Sequence, residues 1–393
     1  MSSAGNQRGI ALVTVLLVLS LLTIATLQFA FSTQVYSHLA RNSVNGLQAS
    51  LLARSGLNMG EAVLLYDVDP QFDSFLEEWC PEAGPTWCRV DESLLELPDK
   101  LRLRIHIIDE GGKFNINLTR PNLTEYKQKQ QGTHGDRVLQ YEYLQAAFRT
   151  LLEGVDADPN AADRLAEYWN QVLQEFIGVD PAEDGSNVDQ SVNQQTQRAS
   201  QIQAMLNQRN FPSLDDANVV LGLDPRVLHR LRKFATALPF LTASARVNVN
   251  TAPREVLEAV LGDAGAVDSL VFQRETAPLQ MADINSATQG LEGNQRAAVN
   301  RMLGVTSSWY RVIASAVVNA DPLTGEGGLA RTASVVVRRG TGAPRPRGGN
   351  SGAPPWTLTR LDWQKEGGAV LFEESSDGSG EQPDPEDDTR ASF

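Results

Sequence analysis

Few residues in this chain could carry chemistry. Its four histidines, His38, His106, His134 and His229, fall in separate stretches, and none has a second ligand or a nucleophile at useful spacing. There is no Gly-x-Ser-x-Gly elbow, no phosphate-binding loop and no His-Glu-x-x-His helix, so catalysis is not expected. Cys80 and Cys88 are the only cysteines, each preceded by a tryptophan (Trp79, Trp87), with Pro81, Gly84 and Pro85 between them. Two thiols without a nearby histidine are too few ligands for a metal. In an oxidising compartment they close a disulfide; in a cytosolic loop they stay free. The last candidate is Asp180-Pro181-Ala182-Glu183-Asp184-Gly185-Ser186-Asn187-Val188-Asp189. Asp180, Glu183, Asp184 and Asp189 offer the hard oxygens that calcium prefers, but neither the spacing nor the closing glutamate of an EF-hand. A solvated acidic loop is the alternative reading.

The element that positions everything else is apolar. No formal charge interrupts Gly9 to Ala40, and the 22 residues Ile10 to Phe31 rise roughly 33 Å as a helix, enough for a hydrocarbon core of about 30 Å. A cleaved secretory signal fits less well, because its apolar region is shorter and ends in a small-residue site. A polar leader ends at Arg8-Gly9, and glycine lets the backbone enter a protease extended and without a side-chain clash. Arg8 ahead of the span and a long acidic body behind it place the leader in the cytoplasm.

The body follows from patterning. With 393 residues, 41% of them apolar, there is ample material for one large domain or two ordinary ones. A net charge of −14 with no basic cluster argues against a nucleic-acid partner. Helical spacing continues to Tyr66, with Leu52, Gly56, Met59, Val63 and Tyr66 on one stripe beside Ala49, Ala53, Gly56 and Gly60. This predicts one helix over Ile10–Tyr66. Leu101–Ile108 alternates as a half-buried strand. Asp109–Gly112 reads as its turn and Lys113–Leu118 as a returning strand. From about Asn122 to Leu241 the pattern is helical, with amphipathic segments at 140–152, 161–176, 190–207, 213–221 and 225–236. Arg246–Pro253 is a short strand delivering Thr251 as a helix cap. The helix behind it is stopped by Gly262, and a second follows over 264–274. Such a hairpin also occurs in DNA-binding modules, but Asp263 and Asp268 stand where phosphate would be held. Trp309–Val318 and Arg331–Arg339 should pair as a hairpin. A Gly/Pro linker then precedes Trp356–Trp363, a last strand or docking segment. After Phe372 the tail holds eight carboxylates and one arginine, the composition of a disordered segment.

Three stretches carry a resemblance. Arg8–Val18 resembles the class III leader junction of type IV pilins and type II secretion pseudopilins, and more narrowly that of the K-type minor pseudopilins (GspK family). Asp109-Glu110-Gly111-Gly112-Lys113-Phe114-Asn115-Ile116-Asn117 is similar to that family's Asp-x-x-Gly-Lys/Arg-x-Asn-x-Asn signature, and Asn248-Val249-Asn250-Thr251-Ala252 to its Asn-x-Asn-Thr-Ala segment. The resemblance implies cutting by prepilin peptidase after Gly9 and methylation of the new terminus at Ile10. Thr14 stands where most pilins carry glutamate, a departure shared by the K type. Glu183-Asp184 resembles the family's Gly-Ala-Glu-Asp calcium string with Pro181 in place of the glycine. Upstream, Glu167–Val172 has lost most of the carboxylates of the family's Asp-Trp-x-Asp-x-Asp run.

The implied fold is α+β: a long N-terminal transmembrane and spine helix packed on an antiparallel sheet, with a large all-α domain inserted between strands. The expected divisions are a leader (1–9), a transmembrane helix (10–35), a first pilin-like part (36–121), the α-domain (122–241), a second pilin-like part with the helical hairpin and final strands (242–339), and the linker and acidic tail (340–393). The implied role is non-catalytic. The subunit joins the I- and J-type minor pseudopilins at the pseudopilus tip, with the H type a further neighbour, and initiates or caps the fibre for protein export. The implied location is the bacterial inner membrane, single-pass, with a periplasmic body and with secreted proteins as candidate contacts. The competing reading is a single-span, periplasm-facing anchor whose α-domain docks an unrelated partner.

Overall fold

The computed structural model describes residues 6–67, 71–77, 79–84, 86–90, 95, 97–130, 132, 139–177, 204–206, 209–238, 246–319, 328–341 and 356–367. Helix α1 (Asn6–Tyr66) runs unbroken for 61 residues. The apolar side chains of its first half, from Leu12 to Phe31, are exposed, Phe29 by 75%. That is the state of a lipid-facing helix drawn without its lipid. The second half buries Ala49, Ala53, Leu57 and Leu64 against a sheet.

The sheet has the order β1 (Glu82–Ala83), β2 (Cys88–Arg89), β3 (Leu101–Asp109), β8 (Trp309–Val318), β9 (Leu329–Thr341), β10 (Trp356–Gly367), all antiparallel. The intervening labels belong to the insertion described below. Strand β3 pairs with β8 from Leu101↔Val318 to Asp109↔Tyr310. Alternation puts Leu103, Ile105, Val312, Ala314, Ala333 and Val335 on the face under α1. Two glycines set the approach. A Cβ on Gly56 would lie 2.8 Å from Ala314 Cβ, and one on Gly60 2.5 Å from Val312 Cγ1. Neither position has room for a side chain. The expected α1 spine, the β8–β9 hairpin and the final strand are all present.

Gly46 on α1 faces Leu329 and Arg331 at the start of β9, so the ends of the sheet are distinguishable. Leu101, Val318 and Leu329 lie at the end nearest the lipid-facing half of α1; Asp109, Tyr310 and Arg339 lie at the distal end. The whole insertion leaves from Asp109 and returns at Trp309, so it sits on the distal end of the sheet.

The insertion consists of β4 (Phe114–Asn115), α2 (Leu123–Gln130), α3 (Gln140–Gly154), α4 (Asn160–Ile177), α5 (Leu214–Leu221), α6 (Pro225–Leu231) and β5 (Ala235–Thr236), followed by β6 (Val247–Asn248), α7 (Arg254–Leu261), α8 (Ala264–Arg274), α9 (Met281–Ala287), α10 (Gly293–Met302) and β7 (Leu303–Gly304). Several of these helix ends are capped. Ser213 Oγ accepts from Asp216 N–H, Asp224 caps α6 with Pro225 behind it, and Gly222 and Gly262 end their helices in left-handed conformation.

Two expectations are corrected here. Residues 113–118 do not return as an antiparallel strand. Only Phe114–Asn115 is extended, pairing in parallel with β5, and Ile116–Thr119 is a 3-10 turn. The reason is that the Asn115 carboxamide accepts the Asn117 N–H at 3.1 Å and curls the chain. Nor does the α-domain end at Leu241. Helices α7 to α10, assigned by sequence to the sheet domain, share one continuous core with α3 to α6 through Leu144, Phe148, Leu151, Val256, Leu257 and Val260. Their apolar faces are buried on the helical block, leaving the sheet to α1.

The insertion divides into two units of similar layout. Each half opens on a short strand ending in asparagine, passes through its helices, and returns on a strand that pairs in parallel with the opener: β4 with β5, β6 with β7. The first long helices of the two halves, α3 and α7, pack on each other, and Tyr143 Oη donates to Val260 O at 2.7 Å across that contact.

Candidate functional site: a buried polar junction

The two signature stretches meet in the fold, Asp109 of the first bonding Asn248 and Thr251 of the second. They form the seam where spine, sheet and α-domain meet. Each supplies an Asn-x-Asn pair on a common pattern, to which Asn115 adds a clamp of its own on Leu238, accepting from its N–H at 3.2 Å and donating to its O at 3.3 Å. The first asparagine bends the chain by accepting the N–H two residues on, Asn117 for Asn115 and Asn250 for Asn248, both at 3.1 Å. The second clamps a remote peptide in both directions. Asn117 accepts from Phe211 N–H at 3.0 Å and donates to Phe211 O at 2.9 Å. Asn250 accepts from Leu279 N–H at 2.7 Å and donates to Leu279 O at 3.2 Å. Phe211 and Leu279 lie just ahead of α5 and α9. All four asparagines are buried, where an unmade hydrogen bond costs about 1–3 kcal/mol.

Asp109, at the tip of β3, ties the second unit to the sheet. Its Oδ1 accepts from Gly111 N–H at 2.7 Å. Its Oδ2 accepts from Asn248 Nδ2 at 3.0 Å, Thr251 Oγ1 at 2.5 Å and Ser307 Oγ at 2.5 Å. Thr251, expected as a helix cap, therefore spends its hydroxyl on Asp109, and α7 starts without a side-chain cap. Burial raises the Asp109 carboxyl to about 6, against the pull of the Ser307 and Thr251 hydroxyls. It is ionised at neutral pH, as four donors and no acceptor around it require. Gly112 is needed for fit, since a Cβ there would lie 2.7 Å from Thr251 Oγ1.

The rest of the seam is ionic. Glu110, fully buried, meets Arg311 at 2.6 Å and Lys113 at 3.6 Å. Burial opposes its ionisation, but Lys113 and Arg311 outweigh that and hold it at about 2. Lys113 also donates to Arg232 O at 2.8 Å. Beyond it, Arg339 on β9 binds both Asp67, just past the end of α1, and Asp73, and stacks 4.9 Å over the Tyr310 ring. Asp73 in turn accepts from Tyr310 Oη at 2.7 Å and Ser307 N–H at 2.6 Å. Glu77 completes the group, with Oε2 on Trp79 Nε1 at 2.7 Å. Burial first, and Asp67 second, push its carboxyl up to about 8, so it is mostly protonated at neutral pH. Oxygens of Asp67, Asp73 and Glu77 lie within 4.8 Å of one another, a spacing that suits a metal, but the Arg339 guanidinium already serves as their cation.

The other sequence-derived residues are dispersed. Gly9 and Ile10 lie in the first turns of α1, and Thr14 donates its hydroxyl to Ala11 O at 2.8 Å, which satisfies it within the helix. Cys80 and Cys88 are bonded, with Cα atoms 5.2 Å apart, and the bridge packs with Trp79 in the core under α1. His106 is buried edge-on to Trp87 at 4.8 Å. Burial, and then Arg89 and Arg104, drop it to about 3, so it is neutral. Asp180, Glu183, Asp184 and Asp189 lie outside the described residues. Sequence reasoning missed Asp73, Tyr310 and Arg339 as one group. It also missed the likeness of the two Asn-x-Asn stretches, although the repeat Phe114-Asn115-Ile116-Asn117 and Val247-Asn248-Val249-Asn250 was the signal for it.

A helix of membrane-spanning length that becomes the spine of an antiparallel sheet defines a pilin-like subunit, here with a two-unit α-domain on the far end of its sheet. Comparison with known proteins narrows the class. A family model described as type II secretion system protein K matches residues 247–306, the second half of the insertion and the start of the return to the sheet. The type II secretion system protein K of Pseudomonas aeruginosa is 31% identical over 280 residues, spanning 71% of this chain and 75% of that protein. The solved GspK–GspI–GspJ complex from enterotoxigenic Escherichia coli contains a chain that is 16% identical, with a TM-score of 0.49, covering 84% of this chain and 99% of that one. The chain belongs to the type II secretion system protein K family, the K-type minor pseudopilins.

Proposed function

We propose that this subunit caps the tip of a type II secretion pseudopilus in company with I- and J-type minor pseudopilins, and that its role is mechanical rather than catalytic. One observation carries the reading: the α-domain stands on the sheet end remote from the lipid-facing half of α1. In a fibre whose subunits stack along their spine helices, a body in that place blocks addition above it. The body is periplasmic and the leader cytoplasmic. The Cys80–Cys88 bridge supports that orientation, since it persists in an oxidising compartment. Prepilin peptidase removes Met1–Gly9 and methylates Ile10. The carboxylates Asp180, Glu183, Asp184 and Asp189 are the proposed calcium donors, a set of hard oxygens suited to that ion. Calorimetric titration of calcium into wild type and Glu183→Gln/Asp184→Asn checks them.

The capping test follows from the register. Asp109 pairs directly with Tyr310, so residues 110–309 can be replaced by a short hairpin turn that leaves the sheet intact. Cells carrying that variant should lose secretion and grow longer pseudopili. Normal fibre length would refute capping by the α-domain. Amino-terminal sequencing of wild type should begin at Ile10, whereas an intact Met1 would favour the simple membrane anchor.

A further inference from the structure

A cavity of about 340 Å³ opens where both units of the α-domain meet the distal end of the sheet. The first unit contributes Leu118 and Leu238, the second Val247 and Met281, and the sheet Trp309 and Arg338. Three cations line it, Lys113, Arg246 and Arg338, against one carboxylate, Glu110. That carboxylate is already engaged by Arg311 and Lys113, and Lys113 also holds Arg232 O. The two arginines are left over. Arg246 is exposed just ahead of β6, and its stem lies over Gly304, where a Cβ would come 3.0 Å from Arg246 Cβ. Arg338 on β9 stands 5.9 Å over the Trp309 ring. Among the described residues neither is ion-paired, and residues 239–245, which join Leu238 to Arg246, hold no carboxylate. In a chain of net charge −14, two unmatched guanidinium groups sharing one cavity are a local reversal of sign.

We propose that this cavity receives an acidic segment of a partner protein, a carboxylate side chain flanked by an aliphatic one, with Arg246 and Arg338 binding the carboxylate. Guanidinium groups match a carboxylate both in charge and in the fork of their donors. The apolar part of the lining decides between a peptide and a free anion. Leu118, Leu238 and Met281 offer a surface that phosphate or sulfate would leave unused and an aliphatic side chain would cover. A segment seated here touches both units and the sheet, so its binding bridges the seam. The inference goes beyond the capping role and does not depend on it.

The test uses the full chain, solubilised in detergent and immobilised, and a pool of short capped peptides randomised at every position. Bound peptides, sequenced by mass spectrometry, should be enriched in Asp or Glu next to Leu, Ile or Met. The enrichment should fall by about tenfold in Arg246→Gln/Arg338→Gln and weaken as salt rises. Thr306→Glu, at an exposed lining position, keeps both arginines and adds a competing carboxylate; it should lose the same peptides. Neither variant disturbs a buried side chain, so both should unfold at the wild-type midpoint. Absence of acidic enrichment in wild type overturns the proposal, as does enrichment that survives in either variant. So does full displacement of the peptides by an equal concentration of inorganic phosphate, which would mark a site for free anions.

Discussion

Replacing Arg339 by methionine tests the seam where it is most concentrated. The side chain is 2% exposed and bonds two carboxylates that are themselves 4% and 2% exposed. Methionine keeps much of the volume and the contact with Tyr310 but removes the cation, leaving Asp67 and Asp73 buried beside Glu77. Stripping one partner from a buried ion pair costs about 3–5 kcal/mol, because the remaining charge stays uncompensated. For a folded body of this size each kcal/mol moves the midpoint by about 2–4 °C, so Tm should fall by roughly 6–20 °C. Thermal unfolding of detergent-solubilised protein, followed by tryptophan fluorescence, reads this directly, since Trp79 lies 6.0 Å from the Tyr310 ring. The electrostatic cause has its own signature. Asp73→Asn added to Arg339→Met removes one stranded charge while still offering an acceptor to Tyr310 or Ser307, and should recover part of the loss. A drop of under about 1 kcal/mol for the single variant, or a further drop for the double one, would refute the reasoning.

Asn117→Ala and Asn250→Ala should destabilise by similar amounts, about 2–4 kcal/mol each, because each strands the N–H and C=O of one buried peptide; denaturant titration checks both. Gly60→Val, whose Cβ would meet Val312 Cγ1 at 2.5 Å, should cost about 1–3 kcal/mol by overpacking and lift the lower part of α1 off the sheet, read by hydrogen exchange of β8. Glu77→Gln should stabilise increasingly as pH rises. The native carboxyl titrates near 8 and the unfolded one near 4.5, so wild type loses stability across that window and the variant does not. His106→Gln should flatten the acid limb. The native imidazole takes a proton only near 3 and the unfolded one near 6.5, so wild type loses stability as pH falls between them; equal slopes in wild type and variant would show that another group governs that limb.

How far the sequence reached differs from element to element. The spine was readable because one physical demand, thirty ångströms of hydrocarbon, dictates a long uncharged run, and because Gly56 and Gly60 sit a helical turn apart on its packing face. The sheet was readable where β3 alternates cleanly, and where β8 and β9 are apolar, β-branched runs on either side of a turn-rich stretch. The insertion was not. Residues 254–302 were given to the sheet domain because a strand precedes them and strands follow them. Their helices are amphipathic, but periodicity reports only that an apolar face exists, never which neighbour covers it. The turn at Asn115 was misread for a related reason. Phe-Asn-Ile-Asn alternates like a strand, while the asparagine side chain that accepts the Asn117 N–H overrides the alternation. Asp73 and Arg339 escaped because 266 residues separate two groups whose pairing only the fold creates.

The polar character of the seam is the last point. An apolar contact between sheet and α-domain would be as stable, since replacing buried ion pairs by well-packed hydrophobic groups is often neutral or better. It would also be non-directional, tolerating small rotations of one body on the other. Asp109 instead collects Asn248, Thr251 and Ser307 onto one oxygen, and Arg339 fastens the end of α1 to β9 and to the loop that also holds Ser307. Every donor has one acceptor direction, so a tilt of the α-domain breaks several buried bonds at once. Under the capping role proposed above, such a seam keeps the α-domain at a fixed angle to the spine. The Asn-x-Asn stretches bring that rigidity to the two units of the α-domain: each clamps the segment leading into one helix, α5 or α9, with two hydrogen bonds to the backbone of a single residue, one given and one taken.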